Sequence, residues 1–347
     1  MLPWHFADEF LERERETILN GTAMIFPQPQ IRLSIRRRSV RAFDSRSGWN
    51  LMTKAIIFGA NGQTGTYLGE ALDRRGYDVV KSSRTSSSCP VDIADFVGVE
   101  SLIATLRPDL IFHLAARSTT RHEALFDNHS AISTGTLNVL EATKRHVPGA
   151  RVFITGSGVQ FVNVDKPISE ETPFDASSPY AVARIHSVYA ARYYRRLGLA
   201  TYVGYLFHHE SPLRPPGHVS QKVARTACAI ASGAETKLEL GDLTVVKEWT
   251  FAGDVAEGIV ALLQQDRVFE AVIGSGEGYT IEQWVETCFS TVGLNWRRHV
   301  SVIPGFVPEY KFLVSDPRRI LSLGWKPRTS FFELAQLMTK NGLIRPT

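Results

Sequence analysis

From Lys54 onward the chain alternates short apolar runs with stretches of helical period. "KAIIFGA" is an apolar run of strand length, and "TYLGEALDRRGYDVV" has helical periodicity that ends in a second strand. "RPDLIFHLAARS" supplies a fourth-strand pattern, "GTLNVLEATKRH" the following helix and "ARVFITGSGVQF" the next strand. Strands and helices alternating at these lengths predict an α/β fold built on a parallel, doubly wound sheet. We expect a nucleotide-binding domain over 52–206. A smaller C-terminal α/β domain that binds substrate is expected over 207–347, with a return to the first sheet near 245–275.

The first 51 residues break this pattern. "IRLSIRRRSVRAFDSRSGWNL" carries arginines, no lysine and no clear period. Met52, followed by a polar pair and a strand, reads as a natural start, so 1–51 is expected to be a disordered or misassigned extension. A targeting peptide and a basic partner-binding arm are the alternatives, although the acidic "ADEFLERERE" is foreign to a mitochondrial-type presequence.

Between the first strand and its helix stand Gly59, Gly62, Gln63, Thr64 and Gly65. Glycines at this spacing let the backbone turn tightly and approach a pyrophosphate, which then faces the free N–H groups of a helix N-terminus. That context makes the sheet a Rossmann sheet and these five residues cofactor-binding. An acid at the end of the second strand would bond the ribose 2′-hydroxyl of NAD. The chain has Ser83 and Arg84 there, a cation and a hydroxyl suited to a 2′-phosphate, so NADP is expected over NAD. Asp92 and Ile93 are placed to meet the adenine, and Ala115, Ala116 and Arg117 to pass beneath the cofactor.

Composition narrows this picture only modestly. The 347 residues are 44% hydrophobic and 21% charged, with a formal net charge of +4. Such a charge over this length suits small anionic ligands and gives no reason to expect nucleic acid. Cys89, Cys228 and Cys288 are far apart and form no CxxC or Cys/His cluster, so no metal site is expected and a reducing cytoplasm is the natural home. No apolar run is long enough to span a membrane.

With a glycine turn set as GxxGxxG, a Ser/Thr after a later strand and a tyrosine followed four residues on by a cation, the chain resembles the extended short-chain dehydrogenases. "GANGQTGTYLGEAL", "ETPFDASSPYAVAR", "YLFHHESP" and "LGWKPRTSFFELAQLM" resemble the epimerase/dehydratase group of nucleotide-sugar enzymes around GDP-mannose 4,6-dehydratase and GDP-4-keto-6-deoxy-mannose reductase. The resemblance implies that Tyr180 moves the proton of the sugar C4 hydroxyl while a nicotinamide exchanges hydride. It implies that Ser157, with Thr155 in reserve, orients that oxygen. A cation on the next helical turn favours phenolate and positions the nicotinamide ribose, and here that cation is Arg184 where the family has lysine. It further implies that His208, Glu210, Lys222 and Lys247 face a nucleotide-diphosphate sugar.

Several positions depart from the family. The carboxylate expected two residues after the catalytic hydroxyl, which removes the C5 proton and assists loss of the C6 hydroxyl, is Val159, or Gly158 without a gap. An asparagine of the family is His208, and Gln221 and Phe306 stand where phosphate-binding cations are usual. Elimination without a carboxylate loses its acid–base group, so the favoured expectation is an NADP-dependent oxidoreductase that reduces a 4-keto-6-deoxy sugar. A 4,6-dehydratase, a lyase whose carboxylate comes from elsewhere with Glu170 and Glu171 nearest in sequence, is the first alternative. A catalytically silent NADP-binding protein is the second. The basic loop of the dehydratase tetramer is missing after Arg84, so a homodimer through "GTLNVLEATKRH" and "YAVARIHSVYAARYYRRLG" is expected.

Overall fold

The apolar run Lys54–Phe58 forms β1, with four of its five residues fully buried, as expected of a strand covered on both faces. The fold is seen in a computed structural model that describes residues 53–85 and 89–344. The expected N-terminal extension 1–51 lies outside the described residues. After β1 come α1 (Gln63–Asp73), β2 (Asp78–Ser82), α2 (Phe96–Leu106), β3 (Leu110–His113) and α3 (Gly135–His146). β4 (Arg151–Ser157), α4 (Pro179–Arg196) and β5 (Ala200–Leu206) follow. The chain continues through α5 (Val219–Ala231), α6 (Ala252–Leu263), β6 (Glu270–Ile273), α7 (Ile281–Thr291) and α8 (Phe331–Ile344).

Six strands form one parallel sheet in the order β6-β5-β4-β3-β1-β2. The order reverses beside β1, and in such sheets ligands settle at the carboxyl ends of the strands near that point. "RPDLIFHLAARS" is the third strand in chain order, not the fourth. Between β2 and α2 the described residues contribute the isolated bridge Ser83–Pro90, and Asp95 caps α2 through the N–H groups of Val97 and Gly98.

Helices cover both faces of the sheet. Leu68 and Leu72 of α1 pack with Val255 and Ile259 of α6 on one face. On the other, Ile103, Val139 and Val188 come from α2, α3 and α4. β6 returns to pair with β5, and its edge is covered where the N–H of Val272 donates to Glu170 Oε1 at 2.7 Å. A third apolar cluster joins α5, α7 and α8 around the fully buried Trp284, on which Trp249 stacks at 4.5 Å. Trp249 is 3% exposed and therefore packs; burial of such a ring contributes roughly 1.5–3 kcal/mol or more. Among the described residues no helix is long and apolar enough to cross a membrane.

Candidate active site

The glycine turn ends β1 where the chain must reverse under α1. Gly59 has φ +85°, and a Cβ there would stand 2.6 Å from the backbone N of Ala115. A Cβ on Gly65 would stand 2.5 Å from Gly59 O. Neither position accepts a side chain, so strand, turn and helix lie in direct backbone contact. Gly62 is the N-cap of α1 and uses no side-chain cap, which leaves the first-turn N–H groups for an anion. These are features a dinucleotide pyrophosphate requires, and the turn fits one.

The side chains of Gln63 and Thr64 go elsewhere. Gln63 Nε2 donates to His209 O at 2.9 Å, and Gln63 Oε1 accepts from Ser211 Oγ at 2.7 Å. Thr64 Oγ1 meets His209 Nε2 at 2.8 Å. What these two residues offer a cofactor is backbone.

Around the same turn opens a cavity of ≈ 720 Å³, a size suited to an organic ligand. Its floor is built by β4 and α4. Ser157 ends β4, and its N–H is fixed by Gln160 Oε1 at 2.8 Å. Phe161 wedges between Phe174 and Tyr205, with ring centroids 5.1 and 4.9 Å away, which pins the loop leading to α4. Ser178 then caps α4 by accepting from the N–H of Ala181 at 3.1 Å, with Pro179 in the first turn. Tyr180 and Arg184, four residues apart, share one helix face, and both line the cavity with Ser157.

Arg184 is only 3% exposed. Its Nη1 donates to Thr155 O at 2.7 Å, its guanidinium lies 5.0 Å from the Tyr180 ring centroid, and its buried Nε has no partner. Among the described residues no carboxylate pairs with it. A buried cation with no carboxylate partner is thus set against the Tyr180 ring. Thr155 also lines the cavity, but its hydroxyl is spent on His113 O at 2.8 Å, which leaves Ser157 the freer hydroxyl. Val159 lines the cavity too and brings no titratable group.

The opposite wall gathers His208, His209 and His218 around Arg214. His208 follows β5, and its Nε2 meets Tyr310 Oη at 2.9 Å while the shielded Nδ1 has no partner. Burial, with Lys247 and Arg214 nearby, drives His208 well below the usual imidazole range and keeps it neutral. Burial likewise lowers His209 to about 4. Glu210, 1% exposed, accepts from Ser220 Oγ at 2.5 Å and lies 3.3 Å from Arg214 Nε. Lys247 is 6% exposed over the Trp249 ring, and burial lowers it to about 8. It stands behind the wall, and Lys222 lies outside the cavity, exposed with Nζ on Glu239 O at 2.7 Å.

The remaining sequence candidates separate by position. Ala116 and Arg117 line the cavity, Arg117 paired to Asp127 at 2.6 Å, and Ala115 lies beneath Gly59. Arg84 is exposed beyond β2, where Asn61 Nδ2 donates to Ser83 Oγ at 2.8 Å. Asp92 is exposed and bonds the N–H of Ala94, and Ile93 is a core residue beneath α3. Glu170 and Glu171 are engaged with Arg319, and neither lines the cavity. Asp254 accepts from the N–H groups of Arg328 and Thr329 and is structural. Arg214, His218, Glu309 and Tyr310 line the cavity without having been singled out. Arg214 follows the quoted "HHESP", whereas Glu309 and Tyr310 arrive from a distant loop that carries no local signal. Among the described residues no His/Cys/Asp/Glu group could hold a metal ion.

A family model described as GDP-mannose 4,6 dehydratase matches residues 56–338. "GDP-mannose 4,6 dehydratase 2" of Arabidopsis thaliana is 31% identical over 324 residues, covering 83% of this chain and 86% of that protein. The Homo sapiens "GDP-mannose 4,6 dehydratase" is 28% identical over 333 residues, covering 82% and 90%. Among solved structures, RMD from Pseudomonas aeruginosa complexed with NADPH superposes with a TM-score of 0.75 at 20% identity, over 85% of this chain and 100% of that one. A Thermus thermophilus UDP-glucose 4-epimerase complexed with NAD gives 0.73 at 22%, over 83% and 98%. At these identities the two structures speak for the fold.

Proposed function

The chain belongs to the GDP-mannose 4,6-dehydratase family, and on that premise we propose that it is a nicotinamide-dependent dehydratase of a GDP-hexose. The observation that carries this reading is the buried Arg184 over Tyr180, set with Ser157 in one cavity opposite Arg214, His208 and His218. A bound nicotinamide supplies hydride acceptance and return. Tyr180 takes the proton of the C4 hydroxyl, Ser157 orients its oxygen, and Arg184 stabilises the phenolate. Arg214 and His218, with the N-terminus of α5, face the diphosphate, and Lys247 adds charge from behind. Ser83 and Arg84 favour NADP over NAD. Elimination also needs a proton carrier near C5 and C6. With Val159 inert and Glu170 and Glu171 elsewhere, the groups available are His208 with Tyr310, and Glu309.

The 4-ketoreductase expected from sequence becomes the second reading. The relatives are named as dehydratases, and the specific observation left in its favour is Val159. Incubation with GDP-mannose and catalytic NADP, read by mass spectrometry, separates the two. Loss of one water without net cofactor consumption supports the dehydratase. An inert GDP-mannose, together with NADPH oxidised by the 4-keto-6-deoxy sugar, supports the reductase.

The assembly we propose is a homodimer. Val182, Tyr189, Tyr193 and Leu197 recur along the outer face of α4 and its end, with Leu137 of α3 and Phe126 exposed nearby. A two-fold copy presents the same stripe to itself and covers it.

A further inference from the structure

We propose that Gln63 and Thr64 are positioning residues for the substrate wall, so that cofactor and nucleotide sugar bind cooperatively through a strap running from Phe207 to Ser211. The inference rests on the reading of a nicotinamide cofactor and a GDP-sugar sharing this cavity, and it concerns how one ligand prepares the site for the other.

Three side-chain hydrogen bonds join the first turn of α1 to the strap: Gln63 to His209 O, Ser211 to Gln63, and Thr64 to His209 Nε2. Gln63 and Ser211 are both buried. His209 Nδ1 lies 2.7 Å from Phe207 O, which can only accept, so Nδ1 carries the proton and Nε2 must accept from the Thr64 hydroxyl. The ring is thus fixed at both nitrogens. Burial holds it neutral, so the acceptor persists through the neutral range. On either side of His209 stand the two residues that shape the substrate wall, His208 on Tyr310 and Glu210 on Ser220 with Arg214 beside it.

The turn and the strap are therefore one hydrogen-bonded body. An anion held by the N–H groups of the turn fixes the first turn of α1, and through Gln63 and Thr64 it fixes the strap. The second ligand then meets a wall already ordered and loses less conformational freedom on binding. Coupling is reciprocal, so GDP-sugar tightens the cofactor by the same factor.

Isothermal calorimetry with NADPH and GDP as probes tests this on the full chain, alone and each in saturating amounts of the other. The wild type is expected to bind GDP about fivefold or more tightly with NADPH present, the lower end of ordinary coupling between sites. Thr64→Val and Gln63→Leu are expected to bring that ratio towards one, whatever either change does to the binding of one ligand alone. His209→Gln, which offers one acceptor in place of the ring, is expected to retain part of the ratio. A wild type that binds both ligands independently overturns the inference, as do variants that keep the full ratio. A wild type that binds neither ligand overturns the functional reading beneath it, and the two failures are distinct.

Discussion

In the proposed reaction Tyr180 and Arg184 divide the work between a group that moves a proton and a group that only holds charge. Tyr180→Phe removes the transferable proton and is expected to lower turnover at least about 10²-fold with GDP-mannose affinity unchanged, measured as kcat and KM. Arg184→Ala is expected to lose activity comparably, and Arg184→Lys to keep a measurable part, because charge matters more here than the fork geometry. The buried histidines set a second expectation. His113, pushed down to about 3 by burial and the Arg184 charge, and His209, at about 4, stay neutral in the fold but take up protons in the unfolded chain. Stability is thus fully present above the unfolded value near 6.5 and falls as pH drops below it. Each histidine contributes a loss of about 2 kcal/mol by about pH 5. Urea unfolding at about pH 7 and about pH 5 checks this, and an unchanged midpoint contradicts it.

At the scale of elements, the glycine turn joins β1, α1 and β3. Gly59→Ala is expected to destabilise the protein by about 1–3 kcal/mol, from the positive φ and the collision with Ala115, and to weaken NADPH binding. Thermal unfolding with and without NADPH reads both effects; a variant with native stability and affinity sinks the expectation. The turn, the helix GTLNVLEATKRH and the Tyr180–Arg184 pair were readable because each depends on local spacing. Period selects strand or helix, glycine selects the turn, and four residues select one helix face. The strap and the far wall were not readable for the opposite reason. His209 acts through Thr64, 145 residues away, and His208 through Tyr310, 102 residues away. Lys222 looked like a ligand contact by its place in a motif, yet its helix carries it outward to Glu239. Gln63 and Thr64 stand in the glycine turn where the sequence put them, and their side chains bond the segment at His209 and Ser211.

For the whole molecule, the outer stripe of α4 gives a direct expectation. Tyr189→Glu with Tyr193→Glu places like charges opposite one another across a two-fold contact and is expected to yield monomers by light scattering. A wild type that is already monomeric removes the dimer. The proposed dehydratase reaction is internal redox at one sugar, in which what leaves C4 returns to C6 while water departs. The most direct measurement follows GDP-mannose deuterated at C4 through a complete reaction with catalytic NADP. The expected product is lighter by one water and retains the deuterium, now at C6. An unaltered sugar with the label still at C4, under conditions where NADPH binds and a 4-keto-6-deoxy sugar is reduced, contradicts the dehydratase and leaves the reductase.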